Sequence, residues 1–214
     1  MKIWTAAAAT LAALILSTQA SAATVVTFDE FTQAGTGLRD LTASGTLESG
    51  GFVFQSVQVN NGFKSWRMND AQNADPDGAT LVHNWANTFM TVSRSDGSIF
   101  DLVSLDLADL SNAGGRVSNL FEFNFADGSK EAFNFGTDTA KGLETLMLNR
   151  KGLKSFALKS TNSGWTQLDN LTWSEHVAAV PEPGAWAMMI LGFATIGSAL
   201  RRRRNPSLAS LSAA

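Results

Sequence analysis

Between Thr24 and about Glu175 the chain sets short apolar runs between clusters of Gly, Asn, Asp and Ser. Short runs that alternate with period two and end in such clusters predict strands joined by turns. TVVTFDEF (Thr24–Phe31) reads as a first strand, followed by a Gly/Thr/Ser-rich loop over Gln33–Gly51. FVFQSVQV (Phe52–Val59) alternates and stops at Asn60-Asn61-Gly62. Trp66 to Trp85 is the most polar stretch, and Pro76 and Gly78 predict a loop there. Strands are expected over Thr88–Ser93 and Phe100–Leu110. In the second, Val103, Leu105 and Leu107 are assigned to an apolar face and Asp101, Ser104 and Asp106 to a polar one. Phe121, Phe123 and Phe125 alternate with polar residues up to Asp127-Gly128, and Phe133 and Phe135 resume the pattern. Asp-Gly between two alternating runs predicts a hairpin, because Gly accepts a positive φ. GLETLMLNR (Gly142–Arg150) and GLKSFALKS (Gly152–Ser160) read as successive strands, and GWTQLDNLTW (Gly164–Trp173) as the last. Strict alternation there puts Asp169 on one face with Trp165, Leu171 and Trp173, which predicts a bulge or a functional carboxylate. No stretch of this region has helical periodicity. About nine strands at this spacing predict an all-β, jelly-roll-like antiparallel β-sandwich.

The two ends follow other rules. Residues 1–23 place Lys2 before an apolar run, Ala6–Leu16, and end in Ala20-Ser21-Ala22, the pattern of a cleaved signal peptide. That implies export through the Sec translocon and processing by signal peptidase. After the domain, 24–175, and a linker, 176–180, comes a segment with three parts in fixed order. Pro181, Glu182 and Pro183 lead, an uncharged run extends to Leu200, and Arg201, Arg202, Arg203 and Arg204 close it. The uncharged run from Ala185 predicts a short transmembrane helix of roughly 24 Å, against a hydrocarbon core of roughly 30 Å. Four arginines hold its far side in the cytoplasm. Residues 205–214 read as a disordered tail.

The formal charge of −3 understates the acidity of the domain. Thr24–Val180 holds eleven basic and eighteen acidic residues. That balance argues against nucleic acid as a partner, since phosphate neutralisation dominates such binding. The absence of cysteine excludes disulfides, thiolate catalysis and Cys-ligated metal centres. The core must then rest on apolar packing, for which 14 Phe and six Trp provide the area.

Candidate chemistry is sparse. His83 and His176 are the only histidines, and no G-x-S-x-G elbow accompanies them. Both read as bystanders, His83 solvated in its polar loop, and no catalytic residues are assigned. Asn73, Asp75, Asp77 and Gly78 have the spacing of a calcium loop, but Asn84 replaces the bidentate Glu and Pro76 interrupts it. The default is a turn built on Asx side chains. Asp29, Glu30, Asp169 and Asn170 form a second acidic group on the first and last strands. Carboxylates gathered there would repel unless a cation, with Ca²⁺ the candidate, sat between them. Trp66, Trp85, Trp165 and Trp173 could each stack on a sugar ring; Trp66 and Trp85, in polar surroundings, are the better candidates for exposed glycan contact, whereas Trp173 is expected in the core.

The tail, PEPGAWAMMILGFATIGSALRRRR, resembles the PEP-CTERM sorting signal in the variant with Trp186-Ala187 after the triplet. The resemblance implies export in a Gram-negative bacterium. It also implies recognition and cleavage by an exosortase after transient anchoring in the inner membrane, and association with exopolysaccharide or biofilm. The residues NPSLASLSAA beyond Arg204 depart from the usual ending. The middle domain is similar to the sandwich domains such proteins carry, through FDLVSLDLA and WTQLDNLTW. The resulting expectation is a non-enzymatic surface or matrix protein with weak affinity for polysaccharide. A secreted glycan hydrolase and an adhesin without sugar specificity are the alternatives.

Overall fold

The computed structural model describes residues 22–57, 62–83, 87–162, 165–177 and 183–203, with side chains from 186 to 201 in the last segment. The chain divides into two compact units, Ser21–Val177 and the flanking 1–20 with 178–214. The expected signal peptide lies outside the described residues except for Ala22 and Ala23.

The first unit is all-β and antiparallel. Twelve strands are present among the described residues: β1 (Thr24–Val26), β2 (Leu38–Thr42), β3 (Thr46–Ser49), β4 (Phe52–Ser56), β5 (Phe63–Trp66), β6 (Leu81–His83), β7 (Met90–Arg94), β8 (Phe100–Asp109), β9 (Ser118–Phe125), β10 (Lys130–Gly136), β11 (Glu144–Ser160) and β12 (Thr166–Glu175). They hydrogen-bond in the order β2-β5-β6-β12-β8-β11-β7-β4-β3, with β1 on β12 and the β9–β10 hairpin on β11.

The 17-residue β11 joins the two halves of this network. Its first part pairs with β8, Glu144 opposite Leu107 down to Leu153 opposite Phe100. Its last part lies between β7 and β9, with Phe156 opposite both Val92 and Phe123. Register shifts between Met147 and Leu153 mark the change of partner. Asn149 (φ 50°) and Gly152 (φ 72°) adopt left-handed backbone there, the conformation that lets an extra residue enter a ladder. The two strands expected from the Gly-Leu repeats are therefore one continuous strand kinked at Gly152.

The hairpin forms as expected, with Phe121 opposite Phe133 and Gly128 at φ 89° in its turn. The expected bulge in the last strand is also present. Asp169 pairs with Asp106 and Thr172 with Ser104, so β12 carries one extra residue, and Asn170 sits at φ 47°. In β8 the anticipated faces are incorrect. Phe100 and Leu102 point inward, and so do Leu105 and Leu107, while Asp101 and Val103 are both half-buried. The inward side changes parity where the pairing with β12 slips between Trp173 and Thr172.

Other expectations are corrected as well. The first strand ends at Val26, because Phe28 turns left-handed (φ 58°) and Asp29–Phe31 form a 3₁₀ turn. The Gln33–Gly51 segment is not one loop but contains β2 and β3. The polar stretch after Trp66 closes with β6.

The core is phenylalanine-rich. Phe28, Phe52, Phe54, Phe63, Phe100, Phe121, Phe123 and Phe156 are fully buried, and each stabilises the fold by roughly 1.5–3 kcal/mol. Edge-to-face contacts link Phe52 of β4 to Phe100 of β8 and Trp173 of β12, with ring centroids 5.1 and 5.2 Å apart. Arg94 lies over the Trp173 ring at 4.1 Å.

The second unit contributes one described element, α1 (Pro183–Arg203). Proline suits the first position of a helix, where its missing N–H costs nothing. Trp186, Met188, Ile190 and Phe193 are exposed along it. Among the described residues no helix is long and apolar enough to cross a membrane. The expected transmembrane helix is corrected accordingly. Gly192, Thr195, Gly197 and Ser198 dilute its apolar part, and Arg201–Arg203 occupy its last turn.

Candidate functional site

Two regions that are distant in sequence meet at the acidic end of the β unit. The loop 67–80 is organised by its own Asx side chains. Asn73 accepts the Asp75 N–H (3.2 Å) and donates to the Gly78 carbonyl (3.1 Å), and Asp75 accepts the Asp77 N–H (3.3 Å). This is the turn that serves as the default for a D-x-[DN]-x-[DN]-G spacing. Its sixth position, Gly78, is buried, and a Cβ there would overlap Asp29 Oδ1 and Asp75 Oδ2. The loop carboxylate and the β1-end carboxylate thus converge on one glycine.

Asp169 lies beneath them on β12 and is 1% exposed. Its pKa is pushed up to about 8, first by burial and then by repulsion from Asp75, Asp29 and Asp106, against the stabilising Asn170 N–H bond of 2.7 Å. Of the acidic group expected from sequence, only Asp29 contributes to this repulsion, and a proton on Asp169 relieves it near neutral pH. The other candidates face elsewhere. Glu30 accepts a hydrogen bond from Ser49, Asn170 donates to Asp106 (2.8 Å), and Asp77 is exposed. Among the described residues no three His, Asp or Glu side chains are arranged to hold a metal ion. Asn84 and Trp85 lie outside the described residues.

Sequence reading missed Gln167. This side chain is wholly buried on β12 and uses every polar atom. Its Oε1 accepts from Ala74 N (3.0 Å) and Thr80 Oγ1 (2.6 Å), and its Nε2 donates to the carbonyls of Gln72 (2.7 Å), Asp109 (2.9 Å) and Leu110 (3.0 Å). It fastens the acidic loop to the end of β8. The only sequence signal is a glutamine in a strand otherwise bound for the core.

Trp66 is not a surface platform. It is 6% exposed, and its Nε1 donates to the Leu110 carbonyl at 2.8 Å. Its polar sequence neighbours are not its spatial neighbours. Trp173 is buried as expected. Neither histidine is free. His83 is on β6, with Nε2 3.0 Å from Ser56 Oγ, and burial holds its pKa down to about 4. His176 Nδ1 meets Asp101 Oδ1 at 2.6 Å, and Asp101 also accepts the Gly152 N–H at 2.8 Å. That contact binds the start of the expected linker to the kink of β11.

In the second unit α1 begins at Pro183 and ends in arginines at Arg203, and Trp186 is half exposed at its first turn. A family model matches this segment at residues 179–204. The chain carries a PEP-CTERM protein-sorting motif. The motif begins before the described helix and ends with the arginine cluster. Pro181, Glu182 and Arg204 lie outside the described residues. PEP-CTERM motifs mark exported proteins addressed to an exosortase, which is the general kind of partner the tail specifies. No curated protein matches the chain.

Proposed function

We propose that this is a non-enzymatic cell-surface or matrix protein. Its PEP-CTERM tail holds it at the inner membrane until an exosortase cuts near Pro181–Pro183, and its β unit then associates with extracellular polysaccharide. The motif at residues 179–204 carries the reading. The contacts of Phe52 with Phe100 and Trp173, between the two halves of the strand network, support a jelly-roll-like sandwich. The Ser56–His83 pair supports a binding role over hydrolysis. Burial keeps His83 neutral, and among the described residues no hydrogen bond joins it to a carboxylate. A serine nucleophile needs its histidine oriented by a third group. Sedimentation of the mature protein with purified exopolysaccharide from the producing cells tests the reading. Co-sedimentation is expected, and a protein that remains in the supernatant with intact polysaccharide would remove the binding role.

A further inference from the structure

The end of β8, the start of β9 and the start of β12 enclose an open cleft of about 380 Å³. That size falls within the roughly 300–1,000 Å³ of small-ligand sites. Trp165, Arg116, Asn162, Ser111 and Asp109 are among its walls.

The frame of the cleft is fixed by its own hydrogen bonds. The Asp109 carboxylate accepts the N–H groups of Ser111, Ala113, Gly114 and Gly115 at 2.9–3.2 Å, so its charge is spent on the backbone that curls around it. The Asn162 side chain accepts from Ser118 N (3.3 Å) and donates to the Arg116 carbonyl (3.2 Å). The Leu110 N–H donates to the Trp165 carbonyl at 3.0 Å, and Thr161 N to the Ser118 carbonyl at 2.8 Å. Three segments are thereby held before any ligand arrives, which lowers the entropy lost on binding.

Two side chains in the walls are left without such work. Among the described residues neither the Arg116 guanidinium nor the Trp165 indole N–H has a hydrogen-bond or ion-pair partner. Arg116 is exposed, with its stem beside Gly136, and Trp165 is half-buried. In a domain with eighteen acidic and eleven basic residues, an unpaired arginine beside a tryptophan in a preformed cleft is a specific combination. The guanidinium presents a planar fork matched to a carboxylate. The indole offers an apolar face to the C–H side of a sugar ring and an N–H to its hydroxyls.

We propose that this cleft binds a carboxylate-bearing sugar unit of an acidic polysaccharide, with Trp165 on the ring and Arg116 on the carboxylate. The assignment rests on the polysaccharide-associated reading above and gives it a ligand class and a place. It also moves the glycan contact from Trp66 to Trp165.

Titration calorimetry of the full chain with tetragalacturonate and with its methyl ester tests it. The acid is expected to bind about tenfold more tightly than the ester, as one charge-assisted contact would give. Arg116→Gln should remove that preference and leave the affinity for the ester unchanged, while Trp165→Phe should weaken both ligands. Equal affinity for acid and ester, an unchanged Arg116→Gln variant, or no binding by the wild type would overturn the proposal. Retention of the secreted protein in its native polysaccharide is measured in parallel. Retention without tetragalacturonate binding overturns the cleft assignment alone, and absence of retention removes the broader reading as well.

Discussion

At Asp169 burial and neighbouring charge push in one direction. The folded pKa of about 8 lies above the ordinary aspartate value of 3.8. The folded state therefore binds the extra proton between those values. The associated stability is fully present below about pH 4 and is lost as pH rises through about 8, at up to about 1.4 kcal/mol per pH unit. Urea melts across pH 4–9 should show this decline, and Asp169→Asn, which keeps the acceptor for Asn170 N–H, should flatten it. An unchanged slope in the variant would assign the effect elsewhere. At pH 6 calcium and chelator should leave the melting temperature equal, and a rise with calcium would show that a cation replaces the proton. Gln167 makes a second prediction. Gln167→Leu leaves the Ala74 N–H and the Gln72 carbonyl without their partner and takes one of two hydrogen bonds from Thr80 Oγ1 and from the Asp109 and Leu110 carbonyls, and should cost about 3 kcal/mol. A melting temperature within a degree or two of wild type would deny it the anchoring role. The chemistry of single residues was the least legible part of the sequence. The convergence of Asp29, Asp75 and Asp169 was half visible, because β1 and β12 could be expected to be neighbours. The exposure assigned to Trp66 failed because polarity along the chain does not report which elements pack across it.

Among the elements, β9–β10 and β12 were readable because each states its pattern locally. An Asp-Gly turn between alternating phenylalanines and a charge among aromatics both have direct structural causes. β2, β3, β5 and β6 were not readable. β2 and β3 lie in Thr-, Ser- and Gly-rich sequence and β5 and β6 flank an Asn- and Asp-rich stretch, and they owe their strand form to pairing of β2 with β5, β3 with β4, and β6 with β5 and β12. The sequence divides β11 in two because Gly152 looks like punctuation, whereas it is a left-handed position inside a continuous strand. Gly152→Ala should therefore destabilise the unit by about 1–2 kcal/mol. The cost has two sources, the φ of 72° and a Cβ 3.4 Å from the His176 ring. Chemical denaturation would check this, and a neutral outcome would mean that the kink is not rigidly held.

At the scale of the molecule, the tail's address was legible, since it is written as a linear motif that needs no folding to be read. The fold class followed from turn spacing, whereas the cleft at Trp165 required the ends of β8, β9 and β12 to be brought together in three dimensions. In this account the four arginines set the orientation of the tail, because charged side chains resist transfer across the membrane. Replacing Arg201–Arg204 with Ser should leave the protein mis-sorted, which cell fractionation would reveal, and normal surface delivery would contradict that role. The central claim is that the β unit is released by an exosortase acting on the tail. Its most direct measurement is the intact mass of the secreted protein from cells with and without the exosortase. A mature chain ending near Pro181–Pro183 is expected when the enzyme is present, and a chain retaining the arginine cluster when it is absent. An arginine cluster retained in both would contradict it.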